Sequence, residues 1–280
     1  MNTLFKKLEA TKINVLDLLQ PEDKTYCLNI FVLYNSHRTF IQNLLQTTIE
    51  AYDLHQQQTP IMKDDFYYDM DKMEKQLQGL EAILTSLNET VVRKIEFYFQ
   101  DRYNVTFNSF NEKQETSKRI VHCQPENIID NIMEQVGTDL IRSGKEQVIS
   151  RFQKCFGIAS KQPQLKNSKI LLPAFFYPRS SLKSNDISLD YNDCEMNKLL
   201  DALALFFFDT SRQPEIFTVQ IDEWKQKINL NTAYYLQGDL SIKFFKNRRI
   251  DIAFPSTHSA EKFWQMFQLE NIVMINNSNE

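Results

Sequence analysis

The sequence predicts an α+β fold that is mostly helical, with a helical N-terminal arm and a C-terminal unit in which a small antiparallel sheet packs on helices. Two observations favour helices: only 5 of the 280 residues are glycine, and apolar residues recur at intervals of three and four in several segments. A third observation, the alternation of apolar and polar residues over 240–254, predicts a β-hairpin. These signals divide the chain into a helical arm over residues 1–110 and an α+β domain over residues 119–280.

Two long helices are predicted in the arm. The first runs from Ser36 to His55, and the second carries an apolar stripe from Met73 to Tyr98. The apolar face of the first helix is formed by Phe40, Ile41, Leu44, Leu45, Thr48, Ile49 and Tyr52. A stripe as long as the second one favours antiparallel packing on the preceding helix, as in an α-hairpin. The polar segment 108–118 has no periodicity, and we therefore expect the domain boundary there.

Three helices and a strand are predicted before the hairpin. Pro125 and Gly137 bracket one helix, a second carries apolar residues from Val148 to Phe156, and a third begins near Cys194. The third is so rich in apolar residues that we expect it to be buried. Residues 161–168 have the composition of a linker, and residues 169–177 that of an apolar strand broken by a proline.

The register of the 240–254 hairpin follows from its apolar pattern. Folding the chain through Lys246-Asn247-Arg248 sets Lys243 opposite Asp251 on one face. The apolar pairs on the other face are Phe244 with Ile250, Ile242 with Ile252, and Leu240 with Phe254. Pro255 ends the ladder, and Ser256 is suited to cap a final helix. One face of that helix carries Ala260, Phe263, Trp264 and Phe267.

Charge and composition exclude several classes of protein. The formal net charge of −4 gives no overall basic field that would draw the molecule to nucleic acid or an anionic membrane, so such a contact requires a local patch. No apolar run reaches the ~20 residues that span a bilayer, so we expect no membrane partner. The N-terminus lacks the features of a signal peptide and the cysteines are scattered singly, which predicts reduced thiols and a cytoplasmic location.

The positions of the glycines exclude two classes of nucleotide-binding enzyme. They stand at 79, 137, 144, 157 and 238, and none of their spacings matches a dinucleotide fingerprint or a P-loop. Both motifs need glycine because the backbone must approach the phosphates closely. We therefore expect no cofactor, and no catalytic residues are assigned.

The tip of the hairpin is the leading candidate for a binding site. Its predicted nucleic-acid-binding residues are Lys243, Phe245, Lys246, Arg248 and Arg249. The cations could contact phosphates while the phenyl ring offers a stacking surface for a base. The alternative interpretation is a solvated turn whose charges keep a sheet edge from pairing with other chains.

Two other clusters contain residues that could form chemical sites. Asp64, Asp65, Asp69, Asp71 and Glu74 could offer oxygen ligands to a divalent cation, but acidic residues are also favoured at a helix start by the helix dipole. His122-Cys123 is the only adjacent pair of soft ligands, and the other cysteines and histidines are far apart in sequence. No metal site is predicted from either cluster, and structural roles are favoured for both.

Three segments together resemble a bacterial domain family of unknown function. The segments are Lys118-Arg119-Ile120-Val121, the helix and tail NDCEMNKLLDALALFFFDTSRQPE, and the hairpin LSIKFFKNRRIDIAF with its following helix. The similarity covers about residues 120–267. Domains of this family are carried on mobile elements, often near or fused to DNA methyltransferase-like regions.

This chain departs from the family pattern at two places. The Asn-Gly of the family's hairpin turn is Asn247-Arg248 here, so a positive φ at that position would strain Arg248. The helix is followed by Asp209-Thr210-Ser211 where the family has Asp-Gly-Lys. The family provides no catalytic residues to carry over, so the resemblance implies a genetic setting and not a reaction.

The resemblance and the basic hairpin together predict a non-enzymatic cytoplasmic protein of a bacterial mobile element that assists DNA or RNA transactions. The helical arm would then mediate self-association or bind a protein partner. One alternative is a protein-interaction module without nucleic-acid contact, which the acidic net charge and the apolar helix faces favour. A second alternative is an enzyme with an unrecognised Cys/His or carboxylate site.

Overall fold

The computed structural model describes residues 14–58, 67–110, 124–156, 162–179, 186–189, 194–210, 214–236 and 239–272. Over this part of the chain the fold is α+β and mostly helical, with a small antiparallel sheet, as the sequence predicts. Among the described helices, none has a segment that is both long and apolar enough to cross a membrane.

Internal contacts divide the chain into two compact units. One contains Met1–Gln100 and Thr106–Thr138, and the other contains Asp101–Val105 and Asp139–Glu280. The division at 138/139 differs from the boundary expected at 108–118, because the helix that begins at Pro125 packs on elements of the first unit.

The first unit is helical in its described residues. After a 3-10 helix at Val15–Leu18, its helices are α1 (Pro21–Gln58), α2 (Tyr67–Tyr103, whose last residues belong to the second unit) and α3 (Pro125–Val136). Contacts between α1 and α2 run antiparallel, which confirms the predicted α-hairpin. They join Asp23 to Tyr98 and Tyr34 to Asn88.

Helix α1 differs from the helix expected over 36–55 in its extent and in the face that it buries. It begins at Pro21, whose fixed φ suits a first helical turn. Ile41, Leu45, Thr48 and Tyr52 are half-buried, whereas Phe40 and Leu44 of the predicted apolar face are exposed. The apolar residues of α1 therefore lie on two faces, and only one of these packs within the described unit.

The second unit contains the sheet and four helices in its described residues. The helices are α4 (Leu140–Gln153, continued by a 3-10 turn at Lys154–Phe156), α5 (Cys194–Phe208), α6 (Glu215–Gln226) and α7 (Thr257–Met266). The strands are β1 (Gln164–Lys166), β2 (Lys169–Leu172), β3 (Asp186–Ile187), β4 (Ile228–Asn229), β5 (Ala233–Tyr235), β6 (Ser241–Phe244) and β7 (Ile250–Ala253). The expected linker at 161–168 is in part strand β1, and the apolar strand after it ends at Leu172, immediately before the proline.

The main sheet has five antiparallel strands in the order β1-β2-β7-β6-β5, and β3 pairs with β4 separately. In the β6–β7 hairpin, Ile242 lies opposite Ile252, Phe244 opposite Ile250, and Lys243 opposite Asp251, which confirms the predicted register. The Ser256 hydroxyl accepts a hydrogen bond from the Ser259 amide, which confirms the predicted cap of α7.

One face of the sheet packs on helices and forms the core of the second unit. Ile170, Ile242, Phe244, Ile250 and Ile252 from the strands are fully buried in one apolar cluster with residues from α4, α5, α6 and α7. Six residues of helix α5 have no exposed surface, which confirms that the helix is buried as expected. They are Met196, Leu199, Leu200, Ala202, Leu203 and Ala204.

Candidate functional site

The hairpin tip is a three-residue loop with a defined backbone. The Arg248 amide donates to the Phe245 carbonyl at 2.9 Å, and the Phe245 amide donates to the Arg249 carbonyl at 3.0 Å. Loops of this length place their last residue in the left-handed region, where glycine is favoured. Arg248 occupies that position with a φ of 64°, so the conformation anticipated from the Asn247-Arg248 departure is present.

A neighbouring segment holds the strained residue in place. The Phe175 amide donates to the Arg248 carbonyl at 2.8 Å, and the residue before it, Ala174, also has a positive φ of 49°. The Arg248 guanidinium lies 5.6 Å from the centre of the Tyr177 ring, within the range of a cation–π contact. The tip is therefore a two-part structure made by the hairpin loop and by residues 174–177.

The predicted aromatic residue is already in contact with two cations. The Arg249 guanidinium lies 4.1 Å from the centre of the Phe245 ring, and the Lys243 ammonium lies 5.4 Å from it. Asp251 is opposite Lys243 in the register, but its ion pair is with Arg249, at 2.8 Å between Nε and Oδ1. A base could therefore stack on Phe245 only if it shared the ring with these cations or displaced one of them.

The five predicted residues differ in how freely they face water. Lys246 and Arg248 are exposed, whereas Lys243, Phe245 and Arg249 are half-buried. Lys246 and Arg248 are therefore the two cations best placed to reach a phosphate without losing an ion pair.

The position of the hairpin in the sheet argues against the interpretation that its charges protect an edge. Strand β7 lies between β2 and β6, and β6 lies between β7 and β5, so neither strand of the hairpin is an edge strand. The edges are β1 and β5. The charges at the tip therefore do not protect an unpaired edge strand, and the interpretation that they keep a sheet edge from pairing is excluded.

The face of the sheet that points away from the helices carries further cations. Successive residues of a strand point to opposite faces, so Lys243, Arg249 and Asp251 share this outer face with Lys166 and Lys169 of the first two strands. Lys166 and Lys169 are both exposed. We call this set, together with Lys246 and Arg248 of the loop, the basic surface.

Sequence reasoning missed three residues of this region. The sequence assigns Tyr177, Lys166 and Lys169 to no site, because residues 161–168 have the composition of a linker and residues 169–177 that of an apolar strand broken by a proline. One local signal was present: Asn167 and Ser168 are both residue types typical of turns, and in the structure they connect β1 to β2, with a φ of 52° at Asn167. No local signal indicates that residue 177 lies beside residue 248.

The two alternative chemical clusters gain no support in the described residues. Asp64, Asp65, His122 and Cys123 lie outside that part of the chain, and Asp71 forms an ion pair with Lys75 at 2.7 Å on the helix surface. Where side chains are described, no group of three or more His, Cys, Asp or Glu residues is arranged to hold a metal ion.

Two of the cysteines are buried thiols. Cys155 donates to the Arg151 carbonyl, and Cys27 is fully buried in α1. Burial, with a smaller contribution from the charge of Asp23, raises the pKa of the Cys27 thiol to about 12. A cysteine nucleophile reacts as the thiolate, so Cys27 is not suited to nucleophilic catalysis near neutral pH.

We expect the Cys27 thiol to resist alkylation in the folded protein. A pKa of about 12 leaves roughly one thiol in ten thousand ionised at pH 8. Iodoacetamide at pH 8 followed by peptide mapping should leave Cys27 unmodified in buffer and fully modified in urea. Because the pKa of the Cys27 thiol is higher in the folded than in the unfolded chain, its contribution to stability is fully present below the unfolded pKa. That contribution is lost as the pH rises from the unfolded pKa through the folded pKa. Rapid labelling of the native protein would contradict the burial of Cys27.

A groove lies on the surface of the first unit. This shallow groove of about 580 Å³ is lined by Tyr26 of α1 and by residues of α2 that include Arg93, Lys94 and Phe97. The Tyr26 ring stacks on Tyr98 at 3.8 Å between ring centres, so these rings contribute to packing within the unit. The groove has exposed cations beside an exposed phenyl ring, and the acid in its lining, Glu96, is buried and accepts a hydrogen bond from the Ser109 hydroxyl at 2.7 Å.

Comparison with known proteins identifies no relative: no family model, no curated protein and no solved structure matches the chain.

Proposed function

We propose that this chain is a non-enzymatic nucleic-acid-binding protein that contacts the phosphates of DNA or RNA through its hairpin tip. Lys246 and Arg248 are the proposed primary contacts, with Lys243 and Arg249 behind them on the same surface. A local patch of this kind is what a protein with a net charge of −4 requires to bind a polyanion.

The observation that carries the proposal is the conformation of Arg248. A left-handed φ costs a residue with a side chain about 1–2 kcal/mol, and glycine at the same position would avoid the cost. A cation–π contact with Tyr177 in a partly exposed place recovers only about 0.5–1 kcal/mol of it. Backbone strain of this kind persists preferentially at functional sites, and here it occurs at a residue whose side chain is exposed on the hairpin loop.

The surroundings of the tip support a surface for an extended strand. Lys166 and Lys169 continue the positive charge across the outer face of the sheet, and Tyr235 is 74% exposed on the edge strand β5. Single-stranded nucleic acids are bound by grooves or faces that combine cations with aromatic rings. We therefore place the nucleic acid along the basic surface, with its backbone at the tip.

The proposed biological setting follows from the family resemblance of residues 120–267. By that resemblance the protein belongs to a bacterial mobile element, where it assists DNA or RNA transactions, and its singly scattered cysteines favour a cytoplasmic location. The helical arm then mediates self-association or binds a protein partner. A protein-interaction module without nucleic-acid contact is the second candidate, favoured by the exposed apolar residues of α1.

The test is fluorescence anisotropy with labelled single- and double-stranded DNA and RNA over a salt series. Two variants, Lys246→Ala and Arg248→Gly, each remove one cation. We expect each to reduce the slope of log K against log salt by about 1, and to weaken binding roughly tenfold near 0.1 M salt. Arg248→Gly also relieves the positive φ, so the variant should be at least as stable as the parent, and its loss of binding would not reflect unfolding.

A matched control distinguishes the loss of a phosphate contact from the general effect of removing one positive charge. Lys262 is exposed on α7, and Lys262→Ala should change the salt slope little. Absence of binding at low salt, or equal effects of the control and the tip variants, would remove the hairpin tip from consideration and favour the protein-interaction module.

A further inference from the structure

Helix α1 carries an uncharged stripe that nothing in the described part of the chain covers. The stripe lies on a different face from the residues that pack on α2. All seven of its side chains are exposed. They are Leu33, His37, Phe40, Leu44, Thr47, Ala51 and Leu54. We call this set the α1 stripe.

The spacing of the α1 stripe is that of a coiled-coil seam. Successive members are separated by four and three residues in strict alternation, an average period of 3.5. This period keeps a row of side chains facing a second helix along its length. A surface helix of a globular domain follows a period of 3.6, and its outer face is normally polar.

Three of the larger apolar side chains of the α1 stripe are more than half exposed. Phe40 is 63% exposed, Leu33 58% and Leu54 56%. Single exposed apolar residues are ordinary, whereas a contiguous row of them marks an interaction site. The stripe extends from residue 33 to residue 54, which is about 30 Å of helix at 1.5 Å per residue.

We propose that the α1 stripe binds the same stripe of a second copy of this chain, with the two α1 helices antiparallel. We infer that the partner is a second copy of the chain, because large and small side chains of the α1 stripe can face each other when two copies pack antiparallel. When the helices are antiparallel with Leu44 of one copy opposite Thr47 of the other, the largest side chain, Phe40, meets the smallest, Ala51. The same register sets Leu54 opposite His37, two side chains of similar size, and gives Leu33 no partner within the stripe, so the Phe40–Ala51 layer is the one that fixes the register.

The size of the contact predicts a reversible dimer. A strip about 30 Å long and one helix wide, about 10 Å, covers roughly 300 Å² on each copy, or about 600 Å² in total, which is below the value of about 1,000 Å² for stable interfaces. We therefore expect a weak dimer that exchanges with monomer and is populated only towards the upper end of the micromolar range. This inference does not depend on the proposed nucleic-acid contact, which involves the other unit.

Analytical ultracentrifugation over about 1–200 μM tests the proposal. The expected result is a mass that rises from 33.1 kDa towards twice that value. Phe40→Glu should remain monomeric at all concentrations, with an unchanged helical circular dichroism spectrum. The control is Phe97→Glu on α2, where the phenyl ring is 70% exposed but outside the stripe, and it should dimerise like the parent. A monomeric parent, or a dimer that survives Phe40→Glu or is lost in Phe97→Glu, overturns the proposal.

A residue swap tests the antiparallel register. Phe40→Ala and Ala51→Phe should each weaken dimerisation at least tenfold, the first by leaving a gap and the second by crowding. The double variant again sets one phenylalanine against one alanine, and its dissociation constant should return to within about threefold of the parent value. Additive effects of the two substitutions would overturn the register, because residues that do not touch do not compensate each other.

Discussion

Replacing Phe152 by alanine should lower the free energy of unfolding of the second unit by about 3–5 kcal/mol, a loss typical of removing a large ring from a well-packed core. Phe152 is fully buried on α4, and its ring contacts four other aromatic rings at 5.1–6.1 Å between centres: Phe156, Phe175, Phe263 and Phe267. Such edge-to-face contacts add to the free energy of burying the ring. The cavity would lie between α4 with the 3-10 turn that continues it, residues 174–177, and α7 with Phe267 after it, so three separate segments would lose packing.

Urea unfolding monitored by tryptophan fluorescence measures this effect. Both tryptophans, Trp224 and Trp264, lie in the second unit, so the signal reports on that unit. Tyr235→Ala is the control, because the ring is 74% exposed and its removal should change stability by less than about 0.5 kcal/mol. A loss below about 1 kcal/mol in Phe152→Ala would mean that the aromatic cluster is not the centre of the core.

Replacing Tyr98 by phenylalanine should destabilise the first unit by about 1–3 kcal/mol. The Tyr98 hydroxyl donates to Oδ1 of Asp23 at 2.8 Å, and Asp23 is completely buried. Removing the hydroxyl leaves a buried carboxyl oxygen without this donor. The free-energy cost of taking that oxygen out of water is then no longer offset by this hydrogen bond. The ring itself remains, so its stacking on Tyr26 is retained.

The matched control is the other ring of the same stack. The Tyr26 hydroxyl lies 3.5 Å from the Lys94 carbonyl in an exposed position, where water can replace the contact. Tyr26→Phe should therefore cost less than about 0.5 kcal/mol. Unfolding followed by circular dichroism at 222 nm compares the two variants. Equal stabilities would mean that the other contacts of Asp23 hold the carboxyl without Tyr98.

Local patterns predicted most of the secondary structure. The hairpin register followed from alternation, because a shift by one residue would have turned Ile242, Phe244, Ile250 and Ile252 to the wrong face. The buried α5 followed from its apolar composition. Strand β1 was missed because three residues ending in a turn carry too weak a period to distinguish them from a linker.

The candidate site was predictable only in part. The charges of the tip and the strain at Arg248 could be inferred from the turn sequence, since the loop length fixes which residue takes a positive φ. The places of Lys166 and Lys169 on the basic surface could not, because they depend on the β2–β7 pairing, which links segments about 80 residues apart. The contact of Tyr177 with Arg248 likewise joins residues distant in sequence. The sequence also could not show which of the two apolar faces of α1 packs within the unit, since an apolar residue gives the same signal whether it is exposed or packed.

The pairing of β2 with β7 has a consequence for the chain as it is synthesised. Leu172 leaves the ribosome long before its partner Ile250, and at about 5–20 residues per second the delay is on the order of ten seconds. During this interval Ile170 and Leu172 have no β7 to cover their hydrogen-bonding edge, and a strand in that state can pair with other chains. Expression yield and solubility should therefore depend on translation speed between codons 173 and 250, and slow codons there should increase aggregation without altering the finished protein.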